Sequence, residues 1–84
     1  MYSLPEPISV SFADEAMSVA LEDGRTITVP VAWYPRLSHA TEAQRLAYFL
    51  SPGGIHWEDI DEDISVEGML AGRGDVSRSP LKAA

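Results

Sequence analysis

Alternating apolar and polar residues dominate the first third of the chain. The period of two runs through residues 8–12, 17–21 and 25–31, and such alternation is typical of strands with one buried face. Asp23 and Gly24 separate the last two segments, and this dipeptide is a strong signal for a tight hairpin turn. We therefore predict a three-stranded antiparallel meander over about residues 8–31.

The need to bury one face of the sheet selects the length of that turn. A two-residue loop would place the apolar residues of the two strands on opposite faces. A three-residue loop, residues 22–24, pairs Val19 with Ile27 and makes one face apolar throughout. Such a loop is a type I turn followed by a bulge, with the glycine in the left-handed conformation. A positive φ at Gly24 is therefore expected.

The middle of the chain predicts a helix over about residues 42–50. Thr41 and Gln44 have the spacing of a capping box, and the segment 51–54 contains proline and two glycines that would end the helix. Apolar residues recur at the spacing of one helical face. These residues are Ala43, Leu46, Ala47 and Leu50.

The segments around this helix complete the predicted fold. Residues 33–37 should be extended, because Pro35 disfavours the helical region for the residue before it. Short extended pieces are expected near 55–57 and 62–66. Val66, Met69 and Leu70 would then form the buried side of a helical turn that Gly72 closes.

The predicted fold class is α+β. A small antiparallel meander packs against one main α-helix, with a short C-terminal strand and a helical turn. Residues 1–72 should form a single domain, since 84 residues suffice for one. Residues 73–84 have little to bury and are expected to form a disordered tail.

The distribution of charge restricts the partners. The net charge is −7. Residues 1–72 hold twelve acidic and three basic side chains, which gives −9, and residues 73–84 hold three basic and one acidic, which gives +2. A domain this acidic repels phosphate backbones, so direct nucleic-acid binding is not expected. The charge suits a small basic protein partner, and the small size also raises the expectation of a homodimer.

Composition also indicates the compartment. The chain has no cysteine, which fits a reducing environment. No apolar run approaches the roughly 20 residues that a membrane-spanning helix needs. The first residues lack the basic start and apolar run of a signal peptide. We expect a cytoplasmic protein without a membrane association.

Several motifs together resemble a known bacterial family. The motifs are Trp33–Leu37, Ala40-Thr41, Gly54–Trp57 and Asp61–Leu70, and over about residues 8–72 the chain is similar to the domain of unknown function numbered 2442. The resemblance implies a small α+β domain with no assigned reaction. Some members are joined to helix-turn-helix segments, which implies a regulatory role, and small acidic members could serve beside a toxin-like partner. We expect no such segment after residue 72 and therefore no direct DNA binding.

His56 lies in the segment whose side chains are best suited to carry out chemistry. As a general base it would be oriented by Asp61 or Asp63. The alternative, which we favour, is a histidine at a strand end that is hydrogen-bonded for structural reasons. The spacing of Asp59, Asp61 and Asp63 opens like a calcium loop, but the EF-hand pattern needs glycine at Ile64 and glutamate at Leu70. We expect neither a metal nor a cofactor.

Arg36 could bind an anionic ligand or a partner's carboxylate bidentately. We favour the interpretation that Arg36 forms an internal salt bridge to Asp61 or Asp63, which holds two motif segments together. The aromatic residues are expected to lie mostly in the core. Tyr48 and Phe49 fall outside the predicted helical face, so one of them is a candidate for an exposed interface residue.

The sequence therefore predicts an acidic protein-interaction or regulatory module, an antitoxin-like partner without catalysis of its own. The alternative is a small ligand-binding or hydrolytic domain centred on Arg36, His56, Trp57 and Asp61. No catalytic residues are assigned, and the sequence favours a protein that is not an enzyme over one that is. The candidate binding residues are Trp33, Arg36, His56, Trp57, Asp61 and Asp63.

Overall fold

The computed structural model describes residues 5–72. This part of the chain forms a small α+β fold with two three-stranded antiparallel sheets and short helices of at most five residues. The strands are β1 (Pro7–Ala13), β2 (Ala16–Leu21), β3 (Thr26–Pro30), β4 (Phe49–Ser51), β5 (Gly54–Trp57) and β6 (Glu62–Ser65). The helices are α1 (Pro35–Ser38), α2 (Glu42–Leu46) and α3 (Val66–Leu70), with a 3₁₀ turn at Val31–Trp33.

The first sheet confirms the predicted meander and its register. Its strand order is β1-β2-β3, and Val19 lies opposite Ile27. The Leu21 amide donates to the Arg25 carbonyl at 2.8 Å, which closes the three-residue loop 22–24. Gly24 has φ +94°. The turn is therefore the one that burial of a single face requires.

The predicted main helix over 42–50 is wrong, and so is the packing of the meander on it. Its capping box is present between Thr41 and Gln44, but α2 ends at Leu46 and buries none of its residues. The chain then enters β4, where Leu50 pairs with Ile55. A two-residue turn at residues 52–53 makes this hairpin possible, because proline followed by a glycine at positive φ is a favoured turn; φ at the glycine is +73°. The meander and the second sheet contribute buried side chains to one core, and α2 and α3 contact β1 and β3.

The extended conformation predicted for residues 33–37 is correct only at Tyr34, with φ −127° and ψ 92°. Trp33 ends the 3₁₀ turn, and Pro35 begins α1. Proline restricts the residue before it but is well suited to the first position of a helix. The prediction applied the first effect and missed the second.

The core is one cluster of buried side chains from both sheets, the 3₁₀ turn, α1 and α3. The strand at 55–57 and the strand near 62–66 are confirmed, and both belong to the second sheet, whose order is β4-β5-β6. In α3, Val66 and Met69 are buried as predicted, whereas Leu70 is exposed. The fully buried side chains of largest volume are Trp57, Met17, Leu21, Leu37, Ile55, Val19, Val31 and Val66.

Within residues 5–72, no helix is long and apolar enough to cross a membrane. The tail predicted for residues 73–84 lies outside the described residues, and the single-domain boundary at residue 72 stays a prediction.

Candidate functional site

The outer face of the second sheet carries a group of polar side chains around His56. Side chains alternate along a strand, so burial of Ile55 and Trp57 in the core turns His56 outward. The register places Phe49 and Asp63 beside His56 on the two neighbouring strands. The remaining outward positions of the three strands are Ser51, Gly54 and Ser65.

His56 and Asp63 form a direct cross-strand pair, with 2.7 Å between Nδ1 and Oδ1. The Val66 amide donates to the Gly53 carbonyl at 2.9 Å. From that hydrogen-bonded position, the alternation of an antiparallel ladder makes His56 and Asp63 a non-hydrogen-bonded pair, the type with closer side chains. An ionised carboxylate only accepts hydrogen bonds, so Nδ1 carries the proton that His56 donates.

The other ring nitrogen of His56 contacts Ser51. With Nδ1 protonated, Nε2 of the neutral ring accepts, and the Ser51 hydroxyl donates to it. Gly54 leaves room for this contact, because a Cβ there would lie 3.2 Å from His56 Nε2 and 3.3 Å from Ser51 Oγ. The Phe49 ring stacks on the imidazole, with 5.0 Å between centroids. The imidazole is thus held on three sides.

Ser51 is a residue of this site that is not among the sequence-based candidates. The feature that could have identified it is the Pro52-Gly53 pair, because this dipeptide also predicts a two-residue hairpin turn. That turn pairs Ser51 with Gly54 and so brings the hydroxyl to the face that carries His56. The same dipeptide is also typical of the end of a helix, which is the interpretation that the 42–50 prediction uses.

This face is open to solvent. The Asp63 side chain is 73% exposed, and Phe49 is 50% exposed. The predicted choice between Asp61 and Asp63 as the partner of His56 is resolved in favour of Asp63. The arrangement can present an oriented imidazole, a hydroxyl and an aromatic ring to an approaching molecule.

Arg36 ties α1 to the loop before β6. Its Nη1 donates to the Asp61 carbonyl at 2.7 Å and lies 3.6 Å from Glu62 Oε1. The predicted internal salt bridge is wrong in its partner: the carboxylate is that of buried Glu62 and not that of Asp61 or Asp63, and Asp61 contributes its backbone carbonyl. Burial, together with the Glu62 charge, raises the pKa of Tyr34 to about 12.

The structure does not assemble the alternative centre made of Arg36, His56, Trp57 and Asp61. Trp57 faces the core, opposite to His56, and its Nε1 donates to the Arg45 carbonyl at 2.9 Å. Trp33 is partly buried against the core. Of the six candidate binding residues, contacts join His56 to Asp63 and Arg36 to Asp61.

No group of three or more histidine, cysteine, aspartate or glutamate side chains in residues 5–72 is placed to hold a metal ion.

A second surface lies near two contacts between the segment around β1 and the segment around β4. Two hydrogen bonds join these segments: the Val10 amide donates to the Tyr48 hydroxyl at 3.1 Å, and the Gly53 amide donates to Glu6 Oε1 at 2.6 Å. Ile8 falls between these points on β1, and Phe49 falls between them on the other segment. We define Ile8, Leu46 and Phe49 as the seam patch.

The side chains of the seam patch are at least half exposed: 58% for Ile8, 57% for Leu46 and 50% for Phe49. The register of β1 skips Ile8, since Pro7 pairs with Leu21 and Ser9 with Ala20. Such a bulge redirects a side chain, and here the residue that it turns to solvent is apolar.

The comparisons with known proteins bear on family and fold. The chain is similar to a protein of unknown function from Rhodospirillum rubrum, solved as a crystal structure, with 27% identity and a TM-score of 0.75 over 87% of this chain and 93% of that one. It has the fold of an uncharacterised protein from Chromobacterium violaceum, solved by NMR, with 24% identity and a TM-score of 0.71 over 83% and 68% of the two chains. No curated protein matches.

The family comparison agrees with the motifs that carry the resemblance. The model described as "Protein of unknown function (DUF2442)" matches residues 7–75, which include both sheets and all three helices. The chain belongs to the DUF2442 family.

Proposed function

We propose that this protein is an acidic interaction module of the bacterial cytoplasm, and that it binds a small basic protein through the seam patch. Its role would be that of a regulatory, antitoxin-like partner. The observation that carries the proposal is the exposure of three large apolar side chains at one seam, one of them at a bulge.

The apolar part of this surface suits protein recognition. Contiguous exposed apolar patches often mark interaction sites, and aromatic residues such as Phe49 frequently supply the anchor of an interface. The Phe49 ring is stacked on His56. Because its position is already fixed, little side-chain freedom would be lost on binding.

The charge of the molecule indicates the chemistry of the partner. The three arginines of residues 5–72 have internal contacts. Arg25 pairs with Asp23, Arg36 contacts the Asp61 carbonyl and Glu62, and Arg45 donates to the Leu37 and Ser38 carbonyls. Twelve carboxylates share the same part of the chain. A basic partner is favoured over a second copy, which would bring a further net charge of −7.

The test is affinity capture of the tagged full-length protein from its own host, followed by mass spectrometry. Wild type is compared with the double variant Ile8→Ser, Phe49→Ser. Leu70→Ser is the matched control, since Leu70 is exposed but lies on α3, which packs against β3 and β6. Circular dichroism checks that each variant is folded.

The expected result is one stoichiometric basic protein that wild type and Leu70→Ser retain and the double variant loses. Its retention should also fall as the salt concentration rises, because the attraction between the charges is screened. Recovery of the protein alone, self-association into a dimer, or equal capture by the folded double variant would contradict the proposal.

A further inference from the structure

We propose that Ser51 is a nucleophile toward carboxylic esters, with His56 as its general base and Asp63 as the residue that positions His56. This activity goes beyond the binding proposed for the seam patch. The two surfaces share Phe49, and the experiment below leaves that residue unchanged, so either proposal can fail without the other. The activity departs from the expectation of a module without catalysis.

The order of contacts is the one that activates a hydroxyl. Ser51 contacts His56 Nε2, and His56 Nδ1 lies 2.7 Å from Asp63 Oδ1. A hydroxyl is a weak nucleophile until an adjacent base accepts its proton, and the base needs a third group to fix its tautomer and orientation. The proton on Nδ1, held by the carboxylate, leaves Nε2 free to accept the hydroxyl proton.

The site has a position for a substrate. Phe49 is stacked against His56 and half exposed, so its ring offers an apolar surface to an aryl or short acyl group. The excess of carboxylates in the surrounding domain would repel phosphate or carboxylate esters. The substrate class is therefore a neutral or cationic ester.

The reaction balances without any further reagent. Ser51 Oγ attacks the carbonyl carbon and forms a C–O bond, while its proton passes to His56 Nε2. The tetrahedral intermediate collapses, the bond to the leaving oxygen breaks, and that oxygen takes the proton from His56. Water then attacks the acyl carbon while His56 Nε2 accepts its proton. The bond between that carbon and Ser51 Oγ breaks, the carboxylic acid leaves, and the proton on His56 restores the Ser51 hydroxyl. Asp63 stays ionised throughout.

The exposure of Asp63 limits the expected rate. General base catalysis typically contributes about 10²–10⁴-fold. Because the Asp63 side chain is 73% exposed, water screens its attraction for the imidazolium. We expect the lower end of that range, about 10²-fold.

The experiment uses the full-length protein with p-nitrophenyl acetate. Peptide mapping after an acid quench locates the acetyl group and follows its appearance with time. His56→Gln removes the base, and Gly54→Ala keeps both side chains but places a methyl group against their contact. Ser11→Ala, an exposed strand serine, is the matched control. Asp63→Asn and Asp63→Glu test the positioning role, and circular dichroism checks folding.

The expected result is acetylation of Ser51 that slows about 10²-fold in His56→Gln and is unchanged in Ser11→Ala. Gly54→Ala and Asp63→Asn should also slow it, and Asp63→Glu should recover part of the rate. An unmodified Ser51 in the wild type overturns the proposal, as does acetylation at the wild-type rate in folded His56→Gln. Equal rates of Ser51 acetylation in Asp63→Asn and wild type would contradict the positioning role of Asp63.

Discussion

The ionisation of Tyr34 should make stability fall in alkaline solution. Tyr34 is only 3% exposed, and burial, with the nearby Glu62 charge, raises the pKa of its hydroxyl to about 12, from an ordinary value of 10.0. Between these values the unfolded chain releases the proton and the folded chain keeps it. The contribution of Tyr34 to the unfolding free energy is therefore complete below about pH 10 and declines as pH rises toward 12.

The size of the effect follows from the pKa difference of about two units. One unit corresponds to about 1.4 kcal/mol, so the Tyr34 contribution lost by pH 12 is on the order of 3 kcal/mol. The assay is urea unfolding of wild type and Tyr34→Phe, followed by tryptophan fluorescence, at several values from about pH 8 to pH 12. The difference between the two unfolding free energies isolates Tyr34 from the other groups that titrate.

This difference should be constant up to about pH 10 and then fall by up to about 1.4 kcal/mol per pH unit. Glu62→Gln removes the carboxylate charge, which is the smaller cause of the raised pKa, and leaves Tyr34 buried. In this variant the Tyr34 pKa should therefore drop but stay above 10. A difference between wild type and Tyr34→Phe that stays constant to pH 12 would refute the reasoning.

Three further predictions, one of them with a control substitution, test the fold by urea unfolding. Arg36→Met should lower the unfolding free energy by about 2 kcal/mol, since it removes a charge-assisted hydrogen bond and the cation beside buried Glu62. The control Arg25→Met breaks only an exposed ion pair within one loop and should lower it by less than about 0.5 kcal/mol. Equal losses in the two variants would contradict a stabilising contact between Arg36 and the loop before β6. Gly24→Ala should cost about 1–2 kcal/mol from backbone strain alone, as nothing lies near the added methyl group; a neutral result would contradict the left-handed turn. Thr41→Ala should cost about 1 kcal/mol through the lost cap, and no change would mean that α2 adds nothing to stability.

The first sheet could be predicted because its determinants are local. Alternation fixes which side chains share a face, and the burial of that face left a single acceptable loop. The pairing of Val19 with Ile27 and the positive φ of Gly24 follow from these two facts. No information from distant parts of the chain was needed.

The helix over 42–50 failed because its pattern is compatible with two structures. Ala43, Leu46, Ala47 and Leu50 have helical spacing, but Leu50 also continues an alternation through the turn into β5. Pairing of β4 with β5, and of β5 with β6, accompanies the partial burial of Leu50 and the complete burial of Ile55. The sequence of residues 42–50 alone does not reveal this gain in burial, since it depends on a strand that begins at Glu62.

The Ser51–His56–Asp63 contacts depend on two turns of defined length. The loop at residues 52–53 sets the register of β4 against β5, and the loop at residues 58–61 sets that of β5 against β6. A shift of one residue in either pairing would turn Ser51 or Asp63 to the face opposite His56. Candidate residues can be chosen along a sequence by their chemistry, but their grouping is a property of register. For this reason the sequence leaves both Asp61 and Asp63 as partners for His56, and Ser51 joins the site only in the folded sheet.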